Sequence, residues 1–241
     1  MTDSRERLRD RPPHGEPVDP SRTARPPERI VHDGHYARLE PLDPSTHAAE
    51  LYAASHGDDA KHRIWDYLAY GPFPTIDAFR AHLHGQAAST DPLFFAIRDP
   101  RTGLANGVAS YLNIVPAHGS IEIGHIWLGP ALQNTAAATE ALYLLIRHAL
   151  DDLDYRRMEW KCNALNLASR RAALRLGFAF EGIFYNHFIV KGRNRDTAWY
   201  SIFDDEWPPI RANFESWLAP ANFDDAGRQR ASLGDLNRTA R

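Results

Sequence analysis

The chain has 241 residues, 43% of them hydrophobic, a formal net charge of -3 and one cysteine, Cys162. That is enough to bury a full core in one large domain. The near-neutral balance gives no electrostatic case for nucleic acid, and a single thiol excludes a disulfide framework or a cysteine-based metal site. No apolar run reaches the length of a membrane span or a signal-peptide core, so a cytoplasmic protein with no membrane partner is expected.

Residues 1–30 carry six prolines, many charges and few apolar side chains, the composition of a disordered tail. A domain over 31–220 and a polar, loose C-terminal tail over 221–241 complete the expected organisation. His35 to Leu42 alternates as a first strand. Pro44-Ser45 opens a helix carrying Ala48, Leu51 and Tyr52 on one side. The stretch Asp58 to Phe73 is aromatic and turn-rich, and Thr75 caps a second helix bearing Ile76, Phe79 and Leu83. Leu93–Arg98 and Ala105–Val115 form a hairpin around Asp99-Pro-Arg-Thr-Gly103.

Next comes the stretch on which the rest depends. Ile121, Ile123 and Trp127 alternate with Glu122, Gly124 and Ile126 as in a strand, while Leu142, Leu145, Ile146 and Ala149 recur at helical spacing. The period switches between Leu128 and Leu132. Ala136, Ala137 and Ala138, flanked by Thr135 and Thr139, are small enough to leave first-turn amides uncovered, and amides at the positive end of a helix dipole bind phosphate. A phosphate-bearing cofactor is therefore expected here. A strand over Tyr155–Cys162, a short helix from Asn166 closed by Gly177, strands over Phe178–Val190 and Thr197–Phe203, and a helix over Trp207–Leu218 follow.

The run Asn166-Leu-Ala-Ser-Arg-Arg-Ala-Ala-Leu-Arg-Leu-Gly-Phe178, with Glu181-Gly182 after it, resembles the signature of GNAT acetyltransferases, in particular the RimJ/RimL-type ribosomal-protein N-terminal acetyltransferase subgroup. Gln133-x-x-Ala136-x-Ala138 is similar to the superfamily's pyrophosphate loop, with alanine at the usual central glycine. The resemblance spans about residues 35 to 205. It implies an α/β (α+β) fold with a mainly antiparallel sheet splayed at its centre. It also implies acetyl-CoA as co-substrate without a metal, and transfer to a primary amine on a protein N-terminus or a small molecule. An acyl-CoA-binding module that no longer catalyses is the alternative, motivated by Ala136 and by Ala173, where many relatives carry tyrosine. The assembly is expected to be a monomer or homodimer.

An ammonium must lose a proton before it attacks, and burial would raise a carboxyl pKa toward the useful range, so Glu122 is the candidate base. His125 or a held water is the rival, with alternation placing His125 on the opposite face. By the resemblance, Ser169 returns a proton to the thiolate. The cofactor set is Ile126, Trp127, Leu128, Gln133, Asn134, Thr135, Ala136, Ala137, Ala138, Thr139, Asn163 and Asn166, with a backbone amide near Ile126 or Trp127 facing the thioester oxygen. Asn166 reads equally as a plain N-cap. Trp65, Tyr67 and Tyr70 have a spacing that is most often core, but they lie in the segment that roofs the acceptor site in the family they resemble and are assigned to the acceptor.

Overall fold

The computed structural model describes residues 14, 15, 17–19 and 21–239; residues 1–13 of the expected tail lie outside them. The described chain begins with β1 (His32–Asp33) and β2 (Arg38–Pro41). Helix α1 (Pro44–Ser55) starts where Asp43 accepts from the Ser45 amide and proline occupies the first turn. A one-turn helix α2 (Asp59–His62) runs into a 3-10 turn over Arg63–Trp65. Helix α3 (Ile76–Ala88) is capped by Thr75 through the Ala78 amide. Strands β3 (Leu93–Asp99), β4 (Leu104–Val115) and β5 (Ser120–Leu128) precede helix α4 (Ala136–Arg147), which continues as a π-turn over His148–Asp152. Strand β6 (Arg157–Asn163), helix α5 (Leu167–Arg175), strands β7 (Ala179–Val190) and β8 (Arg193–Phe203), and helices α6 (Trp207–Leu218) and α7 (Leu233–Thr239) follow.

The eight strands form one open sheet in the order β1-β2-β3-β4-β5-β6-β8-β7. Every pairing is antiparallel except β5 with β6, and that ladder consists of three rungs, Ser120↔Arg157, Ile121↔Met158 and Glu122↔Glu159. Past Glu122 the two strands no longer pair. The sheet thus splays at its centre, and Glu122 sits on the last rung before the gap.

Each face of the sheet carries its own core. One packs Ile121, Ile123, Met158, Trp160 and Tyr200 against Leu145 and Ile146 of α4 and Ile210 and Phe214 of α6. The other packs Phe94, Val108 and Trp127 against Leu51 of α1, Trp65, and Phe79 and Leu83 of α3. Strict alternation had put Trp127 with Ile121 and Ile123. A β-bulge overturns this: the register steps from Ser110↔Gly124 to Val108↔Trp127, so His125 and Ile126 together face Ala109, and His125 takes φ 49°. The extra residue reverses the face of everything after it.

The described residues of both end segments pack further than their composition implied. The segment beyond Ala221, expected to be loose, buries Leu233 completely and Asn237 to 3% exposure, and Asn237 donates to the Arg175 carbonyl at 2.9 Å. Within the expected N-terminal tail, Ala24 is 4% exposed in the core, the Arg25 amide donates to the Leu153 carbonyl at 3.0 Å, and Arg29 donates to the carbonyls of Ala87 and Ser89 at 2.8 and 2.6 Å. Together these contacts are worth about 2–3 kcal/mol. Deleting residues 1–30 is therefore expected to lower the melting temperature by about 5–10 °C in a scanning calorimeter, against the small change that a disordered tail implies; an unchanged melting temperature would show these contacts to be inconsequential.

Candidate functional site

Strand β5 leaves the sheet at Gly129, where a side chain would not fit: a Cβ there would lie 3.0 Å from the Asn106 carbonyl oxygen and 3.1 Å from that of Ala54. The chain turns through Asn134, at φ 59°, into the N-cap Thr135. Thr135 Oγ1 accepts from the Ala138 amide at 3.1 Å and donates to the Leu132 carbonyl at 2.7 Å. The amides of Ala136 and Ala137 take no acceptor among the described residues, so two first-turn donors point out of α4 at the positive end of its dipole.

They open on a cleft of about 980 Å³ lined by Leu128, Asn134 through Thr139 and Leu142 on one side and by Ala168, Arg171, Ala172 and Arg175 of α5 on the other. Tyr36, Arg101, Trp217, Phe223 and residues 226–229 complete its wall. Arg101 is paired with Asp99 at 3.0 Å and Arg228 with Asp224 at 2.8 Å. Arg175 differs. It donates to Thr139 Oγ1 at 3.1 Å and stacks 4.8 Å from the Trp217 ring centroid, no carboxylate among the described residues pairs with it, and burial lowers its pKa. A desolvated cation beside two free amides suits a ligand with anionic groups. None of these arginines was singled out from the sequence; the available signal was the four-residue spacing of Arg171 and Arg175, which puts both on one face of α5. The C-terminal wall left no such signal.

Ala136→Asp would set a carboxylate against whatever anion those amides hold. CoA affinity measured by calorimetry is expected to fall at least about tenfold, the equivalent of 1.4 kcal/mol; unchanged affinity in a folded variant would remove the loop from the site.

At the splay, Glu122 is 4% exposed. Asn113 Nδ2 donates to its Oε2 at 2.6 Å and Lys161 Nζ reaches the same oxygen at 2.9 Å. Oε1 lies toward Gly124, where a Cβ would come within 3.5 Å of it, and both polar contacts of the carboxylate fall on Oε2 instead. Burial pushes the Glu122 carboxyl above its usual range, with Lys161 opposing. His125, carried by the bulge away from the face that alternation assigned it, stacks on Tyr70 with Tyr70 Oη 3.3 Å from its Nδ1. Burial, His82 and Arg195 bring His125 down to about 4, leaving a neutral and weakly basic imidazole at pH 7.

Ser169 Oγ accepts from the donor-only indole N–H of Trp160 at 3.0 Å, and its hydroxyl also lies in hydrogen-bond contact with the Cys162 thiol. It does not line the cleft, although its neighbours Ala168 and Ala172 do. Asn166 caps α5 through the Ser169 amide at 3.0 Å, and Asn163 Oδ1 accepts from Leu165 at 2.9 Å. Both oxygens shape the turn, and neither residue lines the cleft. Gln133 turns back to the Leu128 carbonyl at 2.9 Å, and Ile126 and Trp127 also lie outside the lining. Trp65, assigned to the acceptor from the sequence, is 1% exposed, donates to the Ser55 carbonyl at 3.0 Å and packs against Trp127. Tyr67 is exposed and donates to the Leu165 carbonyl at 3.3 Å. Among the described residues no cluster of three or more His, Cys, Asp or Glu is placed to hold a metal ion, and no helix is long and apolar enough to cross a membrane.

A family model described as an acetyltransferase (GNAT) domain matches residues 37–179. The fold is similar to a crystal structure of a GCN5-related N-acetyltransferase from Brucella melitensis, with 45% identity, a TM-score of 0.87, and 90% of this chain and 97% of that one covered. It is also similar to a probable GNAT-family acetyltransferase from Chromobacterium violaceum, at 40% identity, TM-score 0.74, over 80% and 96% of the two chains. A stretch of 76 residues is 38% identical to the ribosomal-protein-serine acetyltransferase of Escherichia coli (strain K12), covering 32% of this chain and 42% of that protein's length.

Proposed function

The chain belongs to the GNAT acetyltransferase family, whose members use acetyl-CoA, and from that premise we propose that it moves the acetyl group onto a primary amine, of a small molecule or a protein N-terminus, by direct attack. The observation that carries this reading is Glu122: a buried carboxylate with a raised pKa, on the last rung before the sheet opens, with one oxygen toward the space above Gly124. The thioester of acetyl-CoA supplies the activated acyl group. The fit of the cleft rests on the open amides of Ala136 and Ala137 and the unpaired Arg175, which would hold its phosphates.

Glu122 Oε1 takes the proton of the incoming ammonium, a task for which burial has tuned it upward. Lys161 and Asn113, both on Oε2, hold the carboxylate in place and leave Oε1 to the acceptor. The bulge at His125 and Ile126 takes backbone out of the ladder, and an amide there faces the carbonyl oxygen as charge builds on it. Ser169, oriented by the Trp160 indole N–H that its oxygen accepts, gives its proton to the departing sulfur.

The test is a screen of amines with acetyl-CoA, read by free-thiol release. Amine-dependent release is expected. CoA binding with no release for any amine would leave only a binding module.

A further inference from the structure

Beside Glu122 lies a group of polar atoms whose needs the fold does not meet. Residues 195, 197 and 199 of β8 share the sheet face of Glu159 and Lys161, since Trp199 pairs with Lys161 and Thr197 with Asn163. In β7, three residues, 185–187, bulge opposite Asp196, and the bulge swings His187 over Phe188 and toward Trp199, with ring centroids 3.8 and 6.0 Å apart. Arg195 Nε, Thr197 Oγ1, Trp199 Nε1 and His187 Nδ1 are all buried with no hydrogen-bond partner, although Arg195, Trp199 and His187 keep part of their surface exposed. Buried polar atoms are rarely left unpaired, and four on one face are groups that a polar ligand could meet.

The charges there are sorted. Lys161 Nζ bridges Glu122 at 2.9 Å and Glu159 at 2.8 Å while sitting 4.0 Å from the Trp199 ring centroid, so Trp199 is one side chain away from the proposed base. Glu159 is also held by Arg157 at 2.7 Å, and Arg157 by Glu181 at 2.6 Å. That end is satisfied and net negative. At the other end Arg195 forms no ion pair among the described residues. Its neighbour Asp196 turns Oδ1 to the Asn186 amide at 2.7 Å and to Asn194 at 2.9 Å, and it forms no ion pair with Arg195. Arg195 and the Trp199 indole are donors only and must be met by an acceptor. One unpaired cation calls for a monoanion.

Resting on the acetyl-transfer reading above, we propose that the acceptor is an amine bearing a carboxylate next to its nitrogen, as an α-amino acid does, with the ammonium at Glu122 and the carboxylate held by Arg195 and the Trp199 indole. A zwitterion brings one group to the negative end of the face and one to the positive end, and a carboxylate matches the planar fork of a guanidinium in two parallel hydrogen bonds. Arg195 and Trp199 bind and orient; the chemistry stays with Glu122.

The experiment compares kcat/KM, by thiol release, across the common α-amino acids, their carboxamides, their decarboxylated amines, and a short peptide with a free N-terminus. The wild-type protein is expected to prefer at least one amino acid over its own amide and amine by tenfold or more. In Arg195→Gln that ratio is expected to fall toward one, in Trp199→Phe to fall in part, and in Arg195→Lys to recover in part. CoA titration serves as the check on folding. A merely structural role would depress all acceptors together and leave the ratio standing. Transfer to the peptide or to amines with no preference for the acid overturns this inference while the acetyltransferase reading survives. A preference that persists in Arg195→Gln overturns it too. No transfer to any member overturns both.

Discussion

Replacing Glu122 by glutamine is expected to lower the turnover rate by about two to four powers of ten while CoA affinity stays close to wild type, because the shape is kept and the base is lost. In the wild type, kcat/KM is expected to fall as pH drops through the Glu122 pKa, which burial has raised, since the base works only when ionised. In the variant, raising pH restores part of the rate, because more of the amine arrives already deprotonated. Ser169→Ala is expected to lose less, since a CoA thiolate is a tolerable leaving group, and high pH is not expected to rescue it. The variant also answers the stability question. A carboxyl whose folded pKa is raised binds protons more tightly in the native chain, so its contribution to stability is favourable at low pH and is lost as pH rises through that pKa. A neutral glutamine removes that burden, and Lys161 keeps Glu159 at 2.8 Å. Glu122→Gln should therefore melt close to wild type at neutral pH. Full activity across the pH profile would shift the base to His125 or to a held water.

The second large effect is on stability. Glu140, 6% exposed on α4, accepts from the backbone amides of His35 at 3.0 Å, Tyr36, and Ala37 at 2.7 Å. Glu140→Ala leaves three donors without their acceptor in a dry place and is expected to cost about 3–5 kcal/mol, or roughly 10 °C in melting temperature. Because Tyr36 lines the cleft, CoA affinity is expected to weaken with it. Glu140→Gln, which keeps one carbonyl oxygen, should lose less. Urea unfolding of the three proteins is the check, and a loss under about 1 kcal/mol for the alanine variant would show that the loop finds other partners.

Glu140 also shows where sequence reasoning stops. Local rules placed the elements well: Asp43, Thr75, Thr135 and Asn166 all cap the helices they precede, and Gly177 closes α5 at φ 93°. Those signals act over three or four residues. The bond from Glu140 to Ala37 joins residues 103 apart, and nothing at either end announces the other. The bulge at His125 is invisible for a different reason. The residues that follow it, Ile126, Trp127 and Leu128, are apolar without a break, so a one-residue slip leaves their pattern unchanged while moving Trp127 to the other core. The polar C-terminal segment misled because its polar groups satisfy one another: Trp217 donates to Gln229 at 2.9 Å and Asn222 to the Trp217 carbonyl at 2.9 Å, letting Phe223 and Leu233 pack. In the site, the open amides of α4 were readable from small residues after a strand. The cations facing them were not, because which side of α5 looks at α4 is decided by tertiary packing.

The most direct measurement is the intact mass of the protein after acetyl-CoA alone and after acetyl-CoA with an accepted amine, with free thiol and acceptor mass read in parallel. Direct attack predicts an unmodified chain in both samples, and free CoA in equal amount to N-acetylated amine in the second. A chain that gains an acetyl group from acetyl-CoA alone, on Cys162 or elsewhere, would contradict it.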